Sequence, residues 1–128
     1  DEYIESLPQR LAAYRRIAAI DSYDAAADVM SELRDRYGKV PDSVRWLIAV
    51  VHIRNAAIRH GIYEIRQDDE GLKMYGRNTD PSVISILDRT FPKRLRLIMG
   101  AKEGMFLSLA PGDKPLDVLT KAMKALGT

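Results

Sequence analysis

The chain has 128 residues, 46% of them hydrophobic and 30% charged, with a net charge of +2 and no cysteine. That length suits one domain with a core of its own, and the lack of cysteine excludes disulfides, cysteine-ligated zinc and a thiol nucleophile. So mild a positive charge does not by itself point to nucleic acid.

The first residue is Asp1 rather than Met, and no signal or targeting segment is visible; this predicts a piece cut from a longer cytoplasmic protein, with residues 1–128 as a single domain. The apolar spacing predicts a first helix over 7–20, capped by Ser6, with Pro8 in its first turn. Leu7, Leu11, Tyr14 and Ala18 form its apolar stripe with Ile17 beside it, and Arg10, Arg15 and Arg16 make a solvated face. A second helix is predicted over 22–37, capped by Ser22 or Asp21 and ended by Gly38. Ala26, Val29, Met30, Leu33 and Tyr37 share its inner face. On the opposite side Asp24, Asp28, Glu32 and Asp35 fall within a sector of roughly 80°. Like charges four residues apart cost a few tenths of a kcal/mol per pair, so this ridge is either a plain soluble face or a docking ridge for a basic partner.

The stretch from Pro41 to Gly61 predicts the central helix, at 43–60. Val44, Leu47, Ile48, Val51 and Ile58 fall on one side, and Trp46, Val50, Ile53 and Ala57 roughly opposite; two apolar faces imply a helix packed on both sides. Between them runs a basic edge of Arg45, His52 and Arg59, expected to be the wet side of the helix or a contact for phosphate or an acidic partner. The uncharged run from Trp46 to Val51 is far short of the roughly 20 residues of a membrane span, so no membrane association is expected. His52 and His60, with no acid clustered beside them, do not make a metal site.

After Gly61 the period changes to two. Residues 62–66 and 72–75 flank Asp68-Asp69-Glu70-Gly71, a hairpin signal; the acids at its tip lack the spacing of a calcium loop. Asp80 and Pro81 open a short helix with Val83, Ile84 and Leu87 inward, which Pro92 stops. A second hairpin is predicted from 95–99 and 105–109. Asp113 and Pro115 open a last helix with Leu116, Leu119, Met123 and Leu126 on one face. Arg89, Lys93, Arg94, Arg96 and Lys102 lie in a stretch without an acid and are candidate phosphate contacts. Only Phe91 interrupts that stretch, so base stacking is poorly supplied. The predicted order is α-α-α-β-β-α-β-β-α, an α+β domain of antiparallel hairpins packed with helices around 43–60. No phosphate-binding glycine loop, dinucleotide fingerprint or convergent nucleophile, base and metal set is present, so no catalytic residue, cofactor or metal is expected in this domain.

Three local signatures occur together: Tyr3-Ile4 with Arg10-Leu11 and Tyr14-Arg15-Arg16-Ile17-Ala18; Glu32-Leu33-Arg34-Asp35-Arg36-Tyr37-Gly38-Lys39-Val40-Pro41; and Ile58-Arg59-His60-Gly61-Ile62. In these the chain resembles the C-terminal domain of the bacterial transcription-repair coupling factors, most strongly over residues 3–65. It departs at Glu5-Ser6, where members often carry proline then aspartate. The resemblance implies a parent DNA translocase that uses ATP and magnesium, removes stalled RNA polymerase and recruits the damage-recognition ATPase of nucleotide excision repair. For this domain it implies a regulatory role, packing against an N-terminal module similar to an excision-repair helicase subunit and masking the recruiting surface. Glu32 and Asp35 match the acidic pair of the family's clasp. The competing expectation is a nucleic-acid-binding accessory that uses residues 89–102.

Overall fold

The computed structural model describes residues 3–128. Nine elements follow one another: α1 (Leu7–Ala18), α2 (Tyr23–Tyr37), α3 (Asp42–Arg59), β1 (Ile62–Gln67), β2 (Gly71–Gly76), α4 (Pro81–Thr90), β3 (Leu95–Ile98), β4 (Gly104–Ser108) and α5 (Pro115–Ala125). This is the expected α+β order. The two hairpins join through their inner strands into one antiparallel sheet ordered β1-β2-β4-β3.

Local chemistry starts most helices where the sequence places them. The Ser22 hydroxyl accepts the Ala25 N–H at 3.0 Å, and the Asp80 carboxylate accepts the Ser82 N–H at 2.9 Å. Each satisfies a backbone donor that a helix start leaves without a partner. Asp113 was expected to open α5 and does not. Its carboxylate instead takes the Ala110 N–H at 2.8 Å and the Arg94 guanidinium at 2.6 Å, closing the turn before the helix. In the first hairpin, Asp68 accepts the N–H groups of Glu70 and Gly71 at 2.8 and 3.0 Å, which bends the chain from β1 into β2. These bonds, with Lys73 behind them, hold the Asp68 carboxyl below its ordinary range. That carboxylate is committed to a turn.

Helix α3 is packed on both sides, as its two apolar faces require. On one side Ile48 joins Ile4, Ile17, Ile20, Val29, Leu33 and Val40 in a core shared with α1 and α2. On the other, Ile53, Ala56 and Ala57 pack with α4, α5 and the sheet residues Leu72, Met74, Met105 and Leu107. The second contact is carried by the C-terminal half of α3, where two alanines allow close approach. Trp46, expected in this core, lies before that half. It is 57% exposed, beside a shallow depression formed with Ile65, Leu116 and Leu119. Ile58 also departs from its expected burial, at 63% exposed.

Helix α1 sits rotated relative to its sequence pattern. Ile17 and Ala13 pack inward, while Leu7, Leu11 and Tyr14 are 57, 45 and 58% exposed. The narrow side of the helix, not its bulky stripe, fits against α2 and α3.

On the sheet's other face, Tyr75 and Phe106 are closed over by cations rather than by a helix. The Lys102 ammonium stands 4.3 Å from the Tyr75 ring centroid, and the Arg96 guanidinium 5.3 Å from that of Phe106.

Candidate docking surface

The acidic ridge forms as periodicity requires. Val29 and Leu33 turn α2 inward, which leaves Asp24, Asp28 and Asp35 exposed on its outer side. Among the described residues none of these three has an ion-pair partner. Glu32 differs. Its carboxylate meets Arg16 of α1 at 2.8 Å and Arg36, one turn on, at 3.7 Å. Glu32 therefore fastens α1 to α2 at the border of the ridge, and the outward negative field comes from the three aspartates.

The stretch 89–102, basic throughout in sequence, is divided by folding. Arg94 is drawn onto Asp113 and onto the Ser108 carbonyl, at 2.6 and 3.0 Å. Lys102 pairs with Glu64 of β1 at 2.6 Å. That contact first, with Arg66 also nearby, holds the Glu64 carboxyl below its ordinary range. Arg96 lies over Phe106, and Arg89 and Lys93 remain exposed beyond the end of α4. Acids distant in sequence reach two of the five cations, and Arg89, Lys93 and Arg96 have no ion-pair partner among the described residues.

The basic edge of α3 is also corrected. Arg45 and Arg59 are exposed near its ends, but His52 between them is 1% exposed. The C-terminal end of α5 crosses this edge and brings Thr128 onto the imidazole. The Thr128 carbonyl accepts from His52 Nε2 at 2.8 Å and from the Tyr23 N–H at 2.5 Å. A carbonyl only accepts, so Nε2 carries the proton. The Thr128 hydroxyl lies 2.6 Å from His60 Nε2. Both histidines are thus structural donors or acceptors in a knot of α2, α3 and α5. Sequence reasoning missed this knot, because Thr128 is 76 residues from His52 and no local pattern relates them.

Among the described residues no group of three or more His, Asp or Glu side chains is placed to hold a metal ion, and no helix is long and apolar enough to cross a membrane. What the chain presents is charged helical surface: an acidic face on α2 and, on α1 beside it, exposed arginines and apolar side chains.

These features define a small α+β domain with an exposed acidic face on α2. The family model of the TRCF domain matches residues 1–85, and the chain belongs to that family. It is 31% identical over 71 residues to the transcription-repair-coupling factor of Escherichia coli (strain K12), covering 56% of this chain and 6% of that protein. It is 42% identical over 64 residues to the transcription-repair-coupling factor of Mycobacterium bovis, covering 50% of this chain and 5% of that protein. The chain thus spans only about a twentieth of these relatives' length. Among solved structures, a C-terminal domain of transcription-repair coupling factor matches over 97% of this chain and 82% of its own, with a TM-score of 0.74 at 16% identity. At that identity the match supports the fold.

Proposed function

We propose that this domain is a regulatory docking unit of a transcription-repair coupling factor. It holds the parent DNA translocase in a resting state by covering the surface that recruits the damage-recognition ATPase. The observation that carries the reading is the outer face of α2, where Asp24, Asp28 and Asp35 stand exposed without ion-pair partners among the described residues, within about 40° of one another. Unneutralised like charges on one helix face are mildly unfavourable in the free domain. They are relieved when a basic surface docks, which also sets register and specificity. The counterpart is the N-terminal module that resembles an excision-repair helicase subunit. Glu32 sits at the rim of this contact and positions α1 beside it, while Asp35 is the member of the acidic pair that faces outward.

The domain itself is assigned no catalytic step. ATP and magnesium belong to the parent motor, and contact with RNA polymerase and DNA is made through that parent, in the bacterial cytoplasm.

The test uses the full-length protein with Asp28→Lys and Asp35→Lys, compared with wild type by equilibrium binding to the repair ATPase. Losing a charge-paired contact of this kind typically costs about 2–5 kcal/mol. The resting equilibrium then shifts toward the open form by a comparable amount, and the variant binds the ATPase at least about tenfold more tightly. Unchanged affinity in a normally folded variant sinks the role of this face. The nucleic-acid reading predicts a different result: steeply salt-dependent DNA binding by the isolated domain, lost on Arg89→Ala with Lys93→Ala.

A further inference from the structure

We propose that the cleft between α2 and α3, bordered by α5, binds a small organic phosphate monoester. The proposal is independent of the outward acidic face of α2 and of the function built on it.

The first observation is shape. An open cleft of about 330 Å³ runs between one face of α2 and one face of α3, with Thr120 of α5 at its side. Cavities that hold small ligands start at roughly 300 Å³. Ala27, Met30, Ile48 and Ala49 give the cleft an apolar wall, and Ser31 and Thr120 add two hydroxyls. His52 lines it as wall rather than as donor, because its Nε2 proton goes to the Thr128 carbonyl at 2.8 Å.

The second observation is charge. Arg34 of α2 and Arg45 of α3 line the cleft, and no Asp or Glu does. Both arginines are exposed, and neither has an ion-pair partner among the described residues. The aspartates of the acidic face stand about 80–120° round α2 from Arg34. Asp42, one turn before Arg45, does not pair with it. The basic edge foreseen on α3 is therefore regrouped: Arg59 donates to the Asp21 carbonyl at 2.9 Å, and Arg34 joins Arg45 from the neighbouring helix.

The third observation is convergence. The Tyr23 ring at the start of α2 meets the His52 ring of α3, with centroids 6.2 Å apart. Only residues 38–41 join the two helices, so they run antiparallel from that contact. At 1.5 Å per residue, Arg34 lies about 16 Å along α2 from Tyr23, and Arg45 about 10 Å along α3 from His52. The two guanidiniums thus share the end of the cleft away from the ring contact. Two unpaired cations at one place match an anion of two charges. A phosphate monoester carries about −1.5 to −2 at neutral pH and presents three acceptor oxygens, where a carboxylate brings one charge and two. Guanidiniums grip such oxygens in pairs. The apolar wall then takes the organic group, which a bare phosphate lacks.

The experiment titrates this chain at pH 7.5 with phenyl phosphate, inorganic phosphate and phenyl sulfate, followed by amide NMR shifts. Phenyl phosphate is expected to bind at least about fivefold more tightly than phenyl sulfate, which has the same body and a single charge, and than inorganic phosphate. It should shift amides around Ser31, Arg34 and Ala49. Arg34→Gln and Arg45→Gln should each weaken it at least about fivefold without lowering Tm, because both side chains are exposed and unpaired. Arg54→Gln, on the opposite face of α3, should leave it unchanged. A smaller preference, no binding, shifts centred on residues 89–96, or full binding by the Arg34→Gln, Arg45→Gln double variant would each overturn the proposal. So would tighter binding of a phosphoserine peptide or a single-stranded oligonucleotide, which would put the phosphate on a macromolecule.

Discussion

Removing Gly127 and Thr128 tests whether the far end of α5 closes the molecule. Thr128 makes three contacts: its carbonyl takes the N–H of Tyr23 at the start of α2 and that of His52 in α3, and its hydroxyl meets His60 just past the end of α3. Deletion leaves the His52 donor without its partner inside a site only 1% exposed. An orphaned buried donor costs about 1–3 kcal/mol, and the two more accessible contacts about 0.5–1 kcal/mol each. The loss is therefore about 2–5 kcal/mol. In a domain of this size 1 kcal/mol corresponds to roughly 4 °C, so Tm should fall by about 8–20 °C.

Thr128→Ala keeps the carbonyl and gives up only the His60 contact, so it should cost about 0.5–1 kcal/mol. A third variant checks the sign of the argument. In the shortened chain, His52→Leu removes the orphan donor and should recover part of the loss, whereas in the full chain the same change should destabilise. Differential scanning calorimetry at pH 7.5 on wild type and the four variants is sufficient. The reasoning is refuted if the shortened chain melts within about 2 °C of wild type, or if His52→Leu has the same sign in both backgrounds.

Trp46→Ala should cost under about 1 kcal/mol by urea denaturation, since its ring is mostly in water and leaves no cavity; a loss near the 3–5 kcal/mol of a core aromatic would place it elsewhere. Glu32→Lys should lower stability by about 1 kcal/mol, because it turns the contact with Arg16 and Arg36 into repulsion. Asp28→Lys with Asp35→Lys should change stability by less than about 0.5 kcal/mol, and equal melting losses for the two variants would deny Glu32 its fastening role. The His60 imidazole is held below its ordinary pKa by burial, then by Arg59. A group depressed in the folded state gives stability that is complete above its unfolded pKa, about 6.5, and is lost as pH falls below it. Tm should therefore decline from pH 7.5 toward pH 5, less steeply in His60→Gln; parallel pH profiles of the two proteins would exclude His60 as a source.

Element type and order were legible in the sequence because they rest on short-range chemistry. Ser22 and Asp80 cap the helices they precede, Asp68 bends the first hairpin, and the period-two runs form the strands. The doubly packed state of α3 was equally legible, since two apolar faces on one helix have no other stable arrangement. The acidic face of α2 followed from periodicity as well, because Val29 and Leu33 can only turn inward.

Tertiary structure decided which equivalent residues each layer would cover. Trp46 and Ile53 share one apolar face of α3, but the sheet and α5 close over the half that carries Ile53, Ala56 and Ala57 and leave the Trp46 ring beside an open depression. On α1, Ile17 and small Ala13 turn toward α2 and α3, so the stripe of Leu7, Leu11 and Tyr14 is left in water. Charge pairing was decided at the same level: Asp113 and Glu64 neutralise Arg94 and Lys102 of a stretch with no acid of its own. His52 passed from an expected wet edge to the interior because Thr128 arrives from the other end of the chain. Periodicity gives the direction a side chain points along its own helix, and contacts between distant segments determine what stands in that direction.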